Sequence, residues 1–309
     1  MLRQLSRLPF TGLSFLLFAA AAFHSTVSAR PQAKADTSVR PPLILHETRS
    51  SPLDLEVAGD LAGVPSAAVR YLTRDELLSL PQVSYTVTND ANFTARTQVS
   101  GVLLEELARL LSANPQSDLV VAICDDLYRA TYSRSYIAAH HPLLVLTTNG
   151  KSPEGWPKDA EGQGLDMGPY LISHPDFAPN SKASSRTDEP QIPWGVVRME
   201  FRDEQMVFGA IAPRGARAGD SAVQTGYRIA QQNCFRCHNM GAEGGQRAGR
   251  PWLVLAAWAT AAPEYFTAYV RNPRAKNPHA QMPGNPNFDD ATIQALISYF
   301  RVFLVLEKP

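Results

Sequence analysis

Cys234-Phe235-Arg236-Cys237-His238 is the stretch of this chain whose residue types and spacing most narrowly dictate a chemistry. Two thiols lie two residues apart, and an imidazole follows the second directly. That is the arrangement needed to attach haem c. Each thiol adds across a vinyl group to form a thioether, and the adjacent histidine comes under the iron as its proximal ligand. Rival uses of the same residues fit less well. A zinc site on Cys234, Cys237, His238 and His279 lacks a second C-x-x-C or an H-x-x-x-H pair. A thioredoxin-like dithiol needs a βαβ setting, whereas the flanking sequence is patterned as helix. The expectation is one covalent haem c.

The sixth ligand has to come from elsewhere in the chain. Met240 lies two residues beyond His238 and cannot easily reach the opposite face of the ring. Met282, in Gln281-Met282-Pro283-Gly284, sits in a downstream loop free to do so. A thioether is a soft ligand that favours ferrous iron and raises the potential. His279 is the rival, and two histidines would lower the potential. The expected iron ligands are His238 and Met282.

Stepping outward, the elements that must hold these residues read as helices. Gly226 precedes the motif, and Ile293, Leu296, Ile297 and Phe300 form an apolar stripe on a last helix that Asp289 caps and Phe288 staples. Pro251 and the segments Pro263–Phe266 and Tyr269–Pro273 lie between. From about residue 222 to 303 this pattern resembles a class I cytochrome c domain. The resemblance implies that Gly226 marks the crossing of the first and last helices and that Pro251 lies near the proximal histidine. Ala230 departs from it, since an aromatic residue is common there. From residue 222 onward nine basic residues face five acidic ones, a surplus of four. A positive rim of that kind could steer redox partner proteins of acidic character.

The preceding region is patterned differently. Leu53, Leu55 and Val57 alternate with acidic residues as a half-buried strand, Thr73-Arg74-Asp75-Glu76 reads as a capping box, and Val83, Tyr85 and Val87 alternate again. Leu103 to Leu111 has one apolar helical face. Leu119–Cys124 is a continuous apolar run, predicted to be a strand buried on both faces. Leu143 to Thr147 is another strand, 151–193 reads as a long loop, and Val196–Phe201 with Met206–Ile211 reads as a final hairpin. The predicted class is therefore α+β in two domains, a mostly β region over 53–212 and an all-α cytochrome region over 222–309, joined by a linker at 213–221.

Several short motifs in the first region, Val57-Ala58-Gly59, Gly101-Val102-Leu103-Leu104, Asp125-Asp126-Leu127-Tyr128, Asn149-Gly150 and Gly168-Pro169-Tyr170-Leu171, resemble the molybdopterin-binding domain of the sulfite oxidase family. That family binds molybdenum through a cysteine on the segment corresponding to Tyr85–Val99, where this chain has none. Cys124 is the spare thiol and reads as an inert core residue. The resemblance thus implies the fold with its catalytic thiolate missing, which argues against a bound molybdopterin. His140, His141 and His174 read as loop or surface residues.

The whole chain of 309 residues carries 29 basic and 29 acidic side chains, with 44% apolar and 19% charged residues. That composition is ordinary for a globular protein and gives no electrostatic footprint for nucleic acid. Arg3 and Arg7 before an apolar run, with Val27-Ser28-Ala29 after it, read as a cleaved signal segment over 1–29, followed by a linker over 30–52. No later segment reaches membrane-spanning length. The expectation is an exported, periplasmic or secreted monohaem cytochrome that transfers single electrons, its first domain serving as a docking module. The alternative is a molybdenum-dependent oxidoreductase using haem c as internal electron acceptor.

Overall fold

The structure is a computed structural model that describes residues 43–88, 90–158, 165–175 and 190–304. The signal segment predicted over 1–29 lies outside them. In chain order the elements are β1 (Leu55–Gly59), β2 (Arg70–Leu72), α1 (Arg74–Ser79), β3 (Val83–Val87), β4 (Thr97–Leu103), α2 (Leu104–Leu110), β5 (Leu119–Cys124), β6 (Arg129–Ser133), α3 (Arg134–His140), β7 (Leu143–Thr148), β8 (Leu171–Ser173), β9 (Val196–Arg202) and α4 (Glu204–Gly209). The second half adds α5 (Ser221–Asn233), α6 (Trp252–Ala261), α7 (Pro263–Arg271), α8 (Pro273–Lys276) and α9 (Asp290–Arg301). The architecture is α+β, with sheets in the first half and helices in the second. None of the helices among the described residues is long and apolar enough to cross a membrane.

The strands form two sheets, ordered β2-β1-β9-β5-β6 and β3-β4-β7-β8. Among the described residues every strand pairing is antiparallel except β1 with β9. Side chains alternate across a strand, and β5 shows what that alternation achieves here. Val120, Ala122 and Cys124 face the core of the first region, together with Leu55, Tyr132 and Phe201. Leu119, Val121 and Ile123 face the other way, into a core shared with Val207 and Phe208 of α4 and with Trp252, Leu296 and Phe300 of the helical half. The continuous apolar run is thus buried on both faces because the helices pack on the back of the sheet. Tyr299 reinforces this junction by donating its hydroxyl to the Ile211 carbonyl at 2.6 Å.

Local signals act as the sequence implies. Thr73 accepts the Glu76 N–H at 3.2 Å while Glu76 accepts the Thr73 N–H at 2.8 Å, a reciprocal cap on α1. Met206–Ile211, expected as the second strand of a hairpin, is instead the helix α4 and its C-terminal turn. Asp203 accepts the Met206 N–H at 2.8 Å and starts it. Val207, Phe208 and Ile211 are buried while Met206 is 73% exposed, a helical rather than alternating pattern. β8 likewise lies within the stretch read as loop.

His174 is also not a surface residue, being 4% exposed at the end of β8. Tyr136 Oη lies 3.0 Å from its Nε2, with the Tyr132 and Tyr136 rings beside it. Burial, aided by the nearby His140, pushes its pKa down to about 3. The unfolded chain therefore binds more protons than the folded one between about pH 6.5 and that value, so stability falls as the solution is acidified through this window. Urea unfolding at about pH 7 and about pH 5 is expected to differ by roughly 2 kcal/mol in favour of the higher pH. His174→Gln should flatten that difference; an unchanged slope would deny His174 the role.

Candidate functional site

The C-terminal end of α5 delivers the first thiol. Cys234 caps that helix, its N–H donating to Ala230, and the next turn is closed by the N–H groups of Cys237 and His238 donating to the Cys234 carbonyl at 3.1 and 3.0 Å. Phe235, 2% exposed, anchors this turn edge-on against Trp252, ring centroids 5.5 Å apart. The Gly245 N–H donates to the Phe235 carbonyl and the Ala248 N–H to that of Cys237, so the following loop folds back beneath the motif. Both motif cysteines are free thiols, and burial pushes both pKa values up, Cys234 to about 12.

His238 is 8% exposed, and its Nδ1 lies 2.6 Å from the carbonyl oxygen of Arg250. A carbonyl can only accept, so Nδ1 carries the proton and Nε2 keeps the lone pair. Burial lowers the pKa of the ring, against the smaller opposing effect of that hydrogen bond. The result is a neutral, oriented imidazole, the form that ligates a metal. Pro251 itself is exposed; what meets the histidine is the carbonyl of the residue before it. The Arg250 guanidinium stacks over Trp258 at 5.1 Å, which steadies that segment.

Met282 approaches from the loop between α8 and α9. Asn285 ties this loop to α7, its backbone N–H donating to the Val270 carbonyl at 3.1 Å. Arg271 Nε donates to the Phe288 carbonyl at 2.9 Å from the other side. Met282 is half-buried against the second core, whereas its rival His279 is exposed. Cys234, Cys237, His238, His279 and Met282 all line one cavity of about 410 Å³. Leu255, Phe266, Val270 and Phe288 give it an apolar wall. Such a cavity can hold a flat, largely apolar cofactor with a nitrogen ligand and a thioether available to its metal.

Sequence reasoning missed the residues that the first region adds. Tyr128 lines the same cavity, and its hydroxyl accepts from Arg236 Nη1 at 3.3 Å. Two backbone hydrogen bonds join the β5–β6 hairpin to this region: the Arg129 N–H, at the start of β6, donates to the Arg236 carbonyl of the motif, and the Gln246 N–H of the following loop donates to the Leu127 carbonyl of the turn. Ion pairs flank these, Arg247 with Asp126 at 3.0 Å and Arg202 with Glu243 at 2.6 Å. Arg236 was visible inside the motif, but nothing local marks it as an interface residue. Cys124 is 2% exposed in the first core, and burial first, then Asp126 and Asp125, holds its thiol well above the usual range.

No curated protein matches the chain. Among solved structures, the sulfane dehydrogenase SoxCD from Paracoccus pantotrophus is similar at 13% identity and a TM-score of 0.33, over 51% of this chain. The match spans 40% of the length of that SoxCD chain. Residues 221–300 match the family described as cytochrome c oxidase, cbb3-type, subunit III, and this helical stretch is a cytochrome c domain.

Proposed function

We propose that the protein is an exported monohaem c-type cytochrome in which Cys234 and Cys237 attach the haem, His238 and Met282 ligate its iron, and the first region serves as a docked module beside the haem. The observation that carries this reading is the convergence of all four residues on one apolar-walled cavity. The residues fit the cofactor on two further counts. The thiols are free, and the His238 tautomer leaves Nε2 available. Bound haem would supply a one-electron couple; the chain supplies everything else. Arg250 fixes the imidazole through its carbonyl, Phe235 and Trp252 hold the motif turn, and Leu255, Phe266, Val270 and Phe288 exclude water. Export follows from the same reading, because covalent haem attachment takes place outside the bacterial cytoplasm. The positive surplus of the helical half favours redox partners of acidic character.

The first region resembles a sulfite-oxidase-type domain without its metal-binding cysteine, and on this reading it orients the cytochrome and shields one side of its cavity. Elemental analysis of the full chain matured with a haem-attachment system tests the division of labour. About one iron and no molybdenum per chain is the expected result. Stoichiometric molybdenum would make the protein a two-centre enzyme instead, and the absence of iron would refute the cytochrome reading.

Met282 is tested separately. Met282→Ala is expected to remove the ligand that favours ferrous iron, lowering the potential and converting the spectrum to a five-coordinate or water-ligated form. His279→Ala should leave both unchanged. Redox titration with absorption spectroscopy distinguishes them; the reverse pattern would assign the sixth position to His279.

A further inference from the structure

Arg236 is a buried cation with no ion-pair partner among the described residues. Its Nη1 donates to the Tyr128 hydroxyl at 3.3 Å, while Nε and Nη2 are sealed from solvent and meet no hydrogen-bond acceptor there. A guanidinium keeps its charge at any working pH. Burial holds the Tyr128 phenol above its ordinary pKa, so this partner is neutral. Asp126 and Glu243, which flank the motif, are committed to other arginines, Asp126 to Arg247 at 3.0 Å and Glu243 to Arg202 at 2.6 Å. Sealing a lone charge costs stability, and an apolar side chain of similar volume often fills such a place without loss. A charge held there points to a use for its field.

Its position supplies one. Arg236 stands between the two motif cysteines and, with Tyr128, lines the cavity on which Cys234, Cys237, His238 and Met282 converge. The first region takes part in the sealing. Its β5–β6 hairpin sets the Tyr128 hydroxyl against the guanidinium and holds the Arg236 carbonyl through the Arg129 N–H. A charge in such a place acts more strongly than one in water and is little screened by salt. Arg274 and Lys276 of α8, by contrast, are exposed, where water and ions weaken their fields.

We propose that Arg236 is a fixed charge that raises the reduction potential of the haem, with the β5–β6 hairpin as its seal. The inference rests on the haem reading above. When the iron takes one electron from a redox partner, its site loses one unit of positive charge. A sealed cation at the cavity wall disfavours the ferric form more than the ferrous one and so favours reduction. That field is in place before the electron arrives, so no reorganisation is needed to create it. Met282 acts on the same equilibrium through its bond to the iron, whereas Arg236 acts through space.

The test is redox titration of the full chain loaded with haem, at low and at high ionic strength, after haem content and the low-spin spectrum have been recorded for every variant. Arg236→Met keeps the bulk and removes the charge. It is expected to shift the ferric–ferrous equilibrium on the order of tenfold toward the ferric form, about 59 mV lower for a one-electron couple, at both ionic strengths. Tyr128→Phe keeps the charge and should not lower the potential. Arg274→Gln, which removes an exposed cation, should shift the equilibrium less than about twofold. Arg236 lies inside the attachment motif, so Asp126→Asn is made in parallel. It leaves Arg247 unneutralised on the same cavity wall, while its side-chain oxygen can still accept the Tyr128 N–H. This variant should raise the potential, and less so at high salt because the pair is partly exposed. An unchanged potential in haem-loaded Arg236→Met, or in Asp126→Asn should the former carry no haem, would overturn the proposal and leave the haem reading standing. A parent chain without covalent haem would overturn both.

Discussion

His238→Ala is expected to leave any attached haem without its nitrogen ligand, giving a high-spin ferric spectrum in place of the low-spin one. The reason lies in how completely the fold commits to this imidazole. The ring is buried, its Nδ1–H is spent on the Arg250 carbonyl at 2.6 Å, and Nε2 alone remains for the cavity. Losing an outer-shell partner of a metal ligand typically costs 10–100-fold in affinity or activity, and losing the ligand itself is expected to exceed about 100-fold in electron transfer. The substitution also orphans a buried carbonyl, which by itself destabilises by about 1–3 kcal/mol. Added imidazole separates the two effects. It should restore the low-spin spectrum by filling the vacated space, without restoring stability. A variant with an unaltered spectrum would place the ligand elsewhere.

The second large effect is expected at Gly226. A Cβ built there would stand 2.1 Å from the Ala295 carbonyl oxygen and 2.6 Å from Tyr299 Cβ, so α5 and α9 touch backbone to backbone at this point. Gly226→Ala must push the helices apart. That disturbs the Tyr227–Tyr299 ring pair, centroids 5.7 Å apart, and the Tyr299 bond to Ile211 that ties the helices to the end of α4. Overpacking of this kind costs about 1–3 kcal/mol when side chains can yield, and a backbone obstacle puts the expected loss at about 3 kcal/mol or more. Gly219→Ala, where the added carbon meets nothing within 4 Å, should change stability by less than about 0.5 kcal/mol. Urea unfolding of the haem-loaded chain measures both. Equal effects at the two positions would contradict the crossing.

The contrast between these two glycines also shows what was legible in the sequence. Gly226 could be placed because the resemblance to class I cytochromes supplies the helix crossing; periodicity alone gives an apolar stripe on α9 without saying what lies across it. Ala230, small where an aromatic is common, is fully buried against the same core. Cys234, Cys237 and His238 stand out in the sequence because haem attachment would demand their spacing, and Met282 because a ligand for the opposite face would need distance along the chain. That all four line one cavity depends on the packing of α5 to α9, which no local pattern states. The run Leu119–Cys124 announced two buried faces but not the identity of the second neighbour, since alternation reports burial and not its source.

Other features escaped for physical reasons. Met206–Ile211 is a short apolar run, which periodicity alone does not separate from a strand until Asp203 is seen to cap a helix. His174 looked like a loop residue because the tyrosines that bury it, Tyr132 and Tyr136, belong to β6 and α3. The contacts of Tyr128 with Arg236 and of Leu127 with Gln246 arise between residues more than one hundred positions apart, and no local pattern encodes them.

The central claim is that one haem is bound through Cys234 and Cys237. Its most direct test is the intact mass of the denatured chain after maturation with a haem-attachment system, compared with a Cys234→Ala, Cys237→Ala double variant. The account predicts a parent chain heavier by the mass of one haem, resistant to acid–acetone extraction, and a double variant with no such increment. A parent chain at its bare polypeptide mass, or a haem increment that survives loss of both cysteines, would contradict it.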